Sequence, residues 1–260
     1  MAIGKVGTGV TVDLRGRRVL VTGASSGIGA ATCRSVVACG GSVAMLARRQ
    51  ERLDALRDEL GPRAVAVAAD VTDLQSLDAA IVQATGLLDG LDGIVAAAGK
   101  SMVGSIRTGT PQQWRELLDL NLIGPLATVH DAIRHFPTHG RRDVVLVGSA
   151  GAITPMPGVA IYGASKRGLR AAFDTLRLEL ASSGINVSLL MPGIFDTEGL
   201  TIEGVVIDGD VPDNDYPMFV SGTQPASPDA VGDAIAFMVG QPEGICINEV
   251  VVRPTGELNP

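Results

Sequence analysis

Tyr162 and Lys166 stand four residues apart in Tyr162-Gly-Ala-Ser-Lys166, a spacing that places both side chains on one face of a helix. A free phenol has a pKa of about 10, too high for an efficient base at neutral pH. A neighbouring ammonium favours the phenolate and lowers that value. Tyr162 is therefore expected to give a proton to a carbonyl oxygen or take one from an alcohol. Tyr-x-x-x-Lys also arises on plain exposed helix faces, so the pair by itself leaves both readings open.

A second constellation, Thr22-Gly-Ala-Ser-Ser-Gly-Ile-Gly29, is built for phosphate. Gly23, Gly27 and Gly29 permit a tight turn, and with Ser25, Ser26 and Ile28 they bring backbone N–H groups toward a pyrophosphate. The helix that follows adds partial positive charge at its first turn. A glycine-rich string can be an ordinary strand-to-helix turn. This one lies between an apolar run and a helical pattern, the context in which it reads as dinucleotide binding. It lacks the Gly-Lys-Ser/Thr ending of an NTP-binding loop, which argues against phosphoryl transfer. The next apolar run ends in Ala47-Arg48-Arg49, with no carboxylate before Glu51. A carboxylate there would accept hydrogen bonds from a ribose diol, as NAD requires; Arg48 and Arg49 instead suit a 2′-phosphate. The expected cofactor is NADP(H), with NAD(H) as the alternative.

The elements that must hold these groups are legible as alternating short apolar runs and helical patterns. Strands are expected at 18–22, 42–47, 64–69, 93–98, 143–147, 186–190 and 245–252, and helices at 28–38, 50–60, 74–85, 111–136, 160–181 and 228–239. Gly124-Pro125 is expected to bend the fourth helix. The β-α-β-α order predicts an α/β fold, a doubly wound parallel sheet of seven strands covered by helices on both faces. One domain over 1–260 is expected. Residues 193–227, rich in Gly, Pro and Asp, read as a substrate lid.

Composition excludes several classes. Of 260 residues 46% are hydrophobic and only 3% aromatic, which suits Val/Ala/Leu/Ile strands buried on both faces. A net charge of −7 with scattered basic residues argues against a nucleic-acid partner. No run is apolar enough to span a membrane, and no signal peptide is evident, so a cytoplasmic location is expected. Cys33, Cys39 and Cys246 form no metal-ligand spacing with histidines, and the first two read as buried, inert thiols. His130, His135 and His139 fall at spacings of five and four, but no third ligand is evident, so no metal is expected. Lid aspartates 208, 210, 213 and 215 lack EF-hand order.

With Thr-Gly-x-x-x-Gly-x-Gly and Tyr-x-x-x-Lys in place, the chain resembles the short-chain dehydrogenase/reductase family, from about Leu14 to Thr255. The resemblance implies a Rossmann fold and hydride transfer between nicotinamide and a carbonyl or secondary alcohol. It implies that Ser149, thirteen residues before Tyr162, orients the substrate oxygen, and that Asn121, in Asp119-Leu-Asn-Leu, steadies a lysine-linked water. Lys166 would also hold the nicotinamide ribose, and Asp70-Val71 would lie against adenine. Ala97 and Gly99 belong to the cofactor floor, Pro192-Gly193 to the turn packed on nicotinamide, and Thr197 to the carboxamide contact. Asn248-Glu-Val-Val-Val-Arg-Pro-Thr255 resembles NADP-dependent alcohol dehydrogenases of the same family.

One departure is Ala96-Ala-Ala-Gly99, where the family usually has Asn-Asn-Ala-Gly. Substrate contacts are expected from Lys100 to Ile106, Gly151 to Pro157, Phe195, Leu200, Met218 and Phe219. These positions are largely apolar and favour a hydrophobic small-molecule ketone or secondary alcohol. The family also implies a homodimer or homotetramer through the helices around Asn121 and Tyr162. Rival readings are an NAD-dependent dehydrogenase, a non-catalytic dinucleotide sensor on the same fold, and a nucleotide-sugar epimerase or dehydratase. Against the sensor stands the full Ser/Tyr/Lys/Asn set. Against the epimerase stand the glycine spacing and the little chain left after the sixth strand.

Overall fold

The computed structural model describes residues 12–101, 106–107, 109–152, 158–198 and 225–257. Seven strands form one sheet: β1 (Arg18–Thr22), β2 (Ser42–Ala47), β3 (Ala64–Ala68), β4 (Gly93–Ala96), β5 (Arg142–Val147), β6 (Ile185–Pro192) and β7 (Glu249–Val252). Every pairing is parallel, and the spatial order is β3-β2-β1-β4-β5-β6-β7. The order reverses direction between β1 and β4, and at such a switch point the crevice beyond the strands' carboxyl ends takes ligands.

The apolar runs are continuous because alternate residues feed two cores. On one face Val19, Val21, Val43, Met45 and Val145 pack with helices α1 (Gly27–Ala38), α2 (Gln50–Leu60) and α7 (Asp229–Val239). On the other face Leu20, Leu46, Ile94, Leu146 and Leu189 pack with α3 (Leu74–Leu88), α5 (Gly124–Ala132) and α6 (Ala160–Glu179). The seven-stranded, doubly covered parallel sheet agrees with the expectation from sequence.

Several boundaries shift by a few residues, and three of the differences have a plain local reason. β4 ends at Ala96 instead of 98, because the Ala98 N–H donates to Thr22 Oγ1 at 3.2 Å. β7 starts at Glu249 instead of 245, because Ile245 closes a turn through its N–H to the Pro242 carbonyl. The helix expected over 111–136 is divided into α4 (Pro111–Leu118), a π-helical turn (Asp119–Ile123) and α5. The break precedes Gly124-Pro125 because Pro125 has no N–H for the carbonyl of Asn121, four residues earlier. Most of the segment expected as a lid, with Leu200, Met218 and Phe219, lies outside the described residues, as do 102–105 and 153–157. No helix among the described residues is long and apolar enough to cross a membrane.

Candidate active site

The glycine turn is as tight as its sequence requires. Gly23 has a φ of 69°, and a Cβ there would fall 2.9 Å from Ala98 Cα. A Cβ on Gly29 would fall 2.3 Å from the Gly23 carbonyl oxygen. Only glycine lets these three backbone segments meet. Ser26 is the N-cap of α1 with an extended backbone and makes no side-chain cap, so the first amides of the helix keep their donors for an anion.

A cleft runs from this turn along the strand ends. At one end it is lined by Gly23, Ser25, Ser26, Gly27, Ile28 and Gly29, by Arg48 and Arg49, and by Asp70, Val71, Ala97, Gly99 and Thr197. The adjoining pocket shares Ile28, Ala97, Gly99, Lys100 and Thr197, and adds Ser149, Tyr162, Lys166, Pro192, Gly193 and Phe195. The fold thus brings every expected cofactor-binding residue to one groove, with three of the four expected catalytic residues at its far end. Asn121 stands just behind: a Cβ on Gly99 would lie 3.1 Å from Asn121 Oδ1 and 3.5 Å from Lys166 Nζ.

The two arginines differ. Arg48 is largely exposed and faces Asp70 at 3.7 Å. Arg49 folds back on the glycine turn, donating through Nη2 to Ser25 Oγ at 2.9 Å and Ser26 Oγ at 3.0 Å. Its Nη1 donates to Glu198 Oε2 at 2.8 Å, and Arg52 pairs with the other oxygen of the same carboxylate. These guanidinium groups, Arg52 ahead of Arg49, hold the Glu198 carboxyl down to about 2. Arg52 and Glu198 were not found by sequence reasoning. Arg52 follows Arg49 by three residues and shares its helix face, a usable signal. Glu198 comes from a segment 149 residues away and left none.

At the chemical end, Ser149 follows β5 and Tyr162 sits in the first turn of α6. Their side chains are hydrogen-bonded, and Ser149 Oγ also accepts from the Gly151 N–H at 3.1 Å. Burial raises the Tyr162 phenol above its ordinary value, while the bond to Ser149 works in the opposite direction. Lys166, 7% exposed, donates to the Val147 carbonyl at 3.0 Å, and burial lowers it to about 8. The sequence led us to expect lysine to lower the tyrosine; here burial is the larger influence and the ammonium is turned to a strand carbonyl.

Asn121 lies in the π turn, fully buried. Its side chain accepts from the Lys100 N–H at 3.0 Å and donates to the Lys100 carbonyl at 2.9 Å, as a neighbouring strand would. It is also 3.3 Å from Ser165 Oγ. With Thr22 it ties down the Ala-Ala-Ala-Gly stretch that lacks the family's own amides. Opposite, the Glu257 carboxylate accepts from the Ile194 N–H at 2.8 Å and braces the Pro192-Gly193 turn.

This arrangement is matched by a family model described as short chain dehydrogenase over residues 17–202. The chain belongs to the short-chain dehydrogenase family. A short chain dehydrogenase from Burkholderia cenocepacia, solved in complex with NADP, superposes with a TM-score of 0.80 at 31% identity, covering 92% of this chain and 97% of that one. Among curated proteins, an uncharacterized oxidoreductase of Mycobacterium tuberculosis is 35% identical over 199 residues, 74% of this chain and 76% of its own. A glycine betaine reductase of Emericella nidulans is 32% identical over 94% of this dehydrogenase, which spans only 19% of that protein's length. The short-chain dehydrogenases are oxidoreductases, and this chain carries their seven-stranded fold.

Proposed function

We propose that this dehydrogenase is an NADP(H)-dependent oxidoreductase that interconverts a small-molecule carbonyl and a secondary alcohol, with Tyr162 carrying the proton. The observation that carries the reading is one continuous groove with an arginine-serine anion subsite at one end and the Ser149–Tyr162 pair at the other. The groove fits a dinucleotide: uncapped amides of α1 and a glycine cradle suit a pyrophosphate, while Arg49, Ser25 and Arg48 suit a 2′-phosphate. NADP(H), when bound, supplies or accepts the hydride.

The protein's own part is to hold the reacting oxygen and move the proton. Ser149 orients the oxygen, and the Tyr162 hydroxyl donates to it in reduction or accepts from it in oxidation. Lys166 supplies positive charge behind Tyr162 and a donor to a ribose hydroxyl. Asn121 holds the Lys100 backbone and steadies a lysine-linked water in the relay. Phe195 gives the substrate end an apolar wall, in keeping with a hydrophobic carbonyl compound. Assembly as a homodimer or homotetramer belongs to the same proposal.

The test separates binding from chemistry. NADPH fluorescence titration should give the same affinity, within about twofold, for wild type and Tyr162→Phe. Reduction of a panel of ketones and aldehydes with NADPH should fall at least ~10²-fold in the variant, the scale of a lost acid–base group. Tighter binding of NADH than NADPH would overturn the cofactor. Retained turnover in Tyr162→Phe would overturn the proton carrier.

A further inference from the structure

We propose that Glu198 is an internal anion that competes with the 2′-phosphate of NADP(H) for Arg49 and Arg52, and so sets how strongly the cleft discriminates between NADP(H) and NAD(H). The proposal rests on the NADP(H) reading above.

The donors of Arg49 can be accounted for. A guanidinium offers five N–H donors in a fixed planar fork. The Nε and Nη2 edge is turned to Ser25 Oγ, at 3.2 and 2.9 Å, and Nη2 also reaches Ser26 Oγ at 3.0 Å. What remains for an anion is Nη1, and Glu198 Oε2 accepts from one of its two N–H groups at 2.8 Å. The second oxygen of the same carboxylate is taken by Arg52, one helical turn further along α2. Glu198 therefore receives from both cations much as a phosphate would.

The place decides what is being imitated. Ser25, Ser26, Arg48, Arg49 and Glu198 line the same stretch of cleft, at the carboxyl end of β2. In a doubly wound fold the adenosine ribose lies beside that strand end, and the residue there distinguishes a 2′-hydroxyl from a 2′-phosphate. A phosphate reaching this ribose position meets Arg49 with all but one of its donors in use and a like charge beside it. Nη1 keeps one further N–H, but a phosphate using it would share a single nitrogen with the Glu198 carboxylate, and the repulsion between the two anions is strongest at that separation. NAD(H) brings only a hydroxyl and has no need of that edge, so the carboxylate acts selectively against the phosphorylated cofactor. The two guanidinium groups keep Glu198 ionised well below neutral pH, so mild acid gives no release.

The experiment titrates the full chain with NADPH and with NADH, following nucleotide fluorescence, for wild type, Glu198→Gln and Arg49→Ala. Gln keeps the size of the side chain and removes the charge. Glu198→Gln should bind NADPH about tenfold more tightly, the scale of a charge-assisted contact at a half-exposed site, with NADH changed less than about twofold. Unchanged or weaker NADPH binding in Glu198→Gln would overturn the proposal, because a carboxylate that helps to enclose the cofactor would be missed when removed. Equal tightening of both nucleotides would also overturn it, as obstruction without selectivity for the phosphate. Arg49→Ala tells the two levels apart. If it narrows the NADPH preference while Glu198→Gln does nothing, only the competition fails. If it alters neither nucleotide, the phosphate subsite fails and the competition with it.

Discussion

Lys166 is an ammonium with no side-chain counter-ion among the described residues, held against the Val147 carbonyl at 3.0 Å. Its ordinary pKa of 10.5 falls to about 8 in the fold because burial disfavours the charged form. Between those values the unfolded chain binds more protons than the native one, so stability rises with pH through that window. Below it, the buried charge costs about 3 kcal/mol. Lys166→Met, similar in length and uncharged, is expected to melt several degrees higher than wild type at pH 7. The advantage should shrink toward pH 10.5, and carbonyl reduction should be lost throughout. Lower melting at pH 7 would mean that the ammonium is a net support of the fold. Tyr162 gives a companion prediction. Its hydrogen bond to Ser149 lowers the phenol and opposes burial. Ser149→Ala should push the Tyr162 titration further up, read as a later rise of tyrosinate absorbance relative to a Tyr162→Phe blank. No shift would show that the serine acts on substrate alone.

Elements place these groups, and one crossing decides the direction of α1. Gly232 on α7 lies against the backbone of Ala31, where a Cβ would come within 2.6 Å of the Ala31 carbonyl carbon. Gly232→Ala is expected to push the helices apart at a cost of about 1–3 kcal/mol, read from the urea midpoint. Because α1 opens at the glycine turn, NADPH affinity should fall as well; an unchanged affinity would mean the helix tilts without moving its first turn. Such crossings have no sequence signal beyond a glycine in a helix, whereas the strands had a strong one. The runs at 18–22 and 42–47 were legible because burial on both faces removes polar residues from a strand's interior. An apolar run does not say where pairing stops, so β4 and β7 are shorter than the runs that contain them. The bend near Pro125 was legible from its missing N–H, but the π turn that puts Asn121 against Lys100 follows from how the freed carbonyls are redistributed. At the site, short motifs carried Tyr162, Lys166 and the glycine turn, since their partners are a few residues away. The Glu198 contact joins segments too distant in sequence for any spacing to reveal.

On the scale of the whole molecule the sheet has two unlike edges. The carboxyl ends of its strands carry the groove, and the amino ends carry a buried ionic network. Arg17 donates to Asp92 at 2.7 Å, to Asp143 at 2.8 Å and to the Val239 carbonyl that closes α7 at 2.9 Å. Arg141 and Asn186 complete the partners of Asp143, at 2.7 and 3.0 Å. Both carboxylates are buried, at 6% and 2% exposure, so an unpaired charge here is expensive. The network gathers β1, β4, β5, β6 and α7 into one register while standing at the far side of the sheet from the chemistry. Arg17→Met removes the charge and keeps much of the packing. Arg18 still faces Asp92 and Arg141 still faces Asp143, so the loss is expected near the lower end of that for a broken buried pair, roughly 3 kcal/mol in urea denaturation. NADPH affinity of the folded variant should stay within about twofold of wild type, because no member of the network lines the groove. A stability loss with intact binding would establish that the amino edge maintains the fold and the carboxyl edge performs the reaction. A fall in affinity without loss of stability would show instead that strand register, set at one edge, governs the spacing of the glycine turn and Tyr162 at the other.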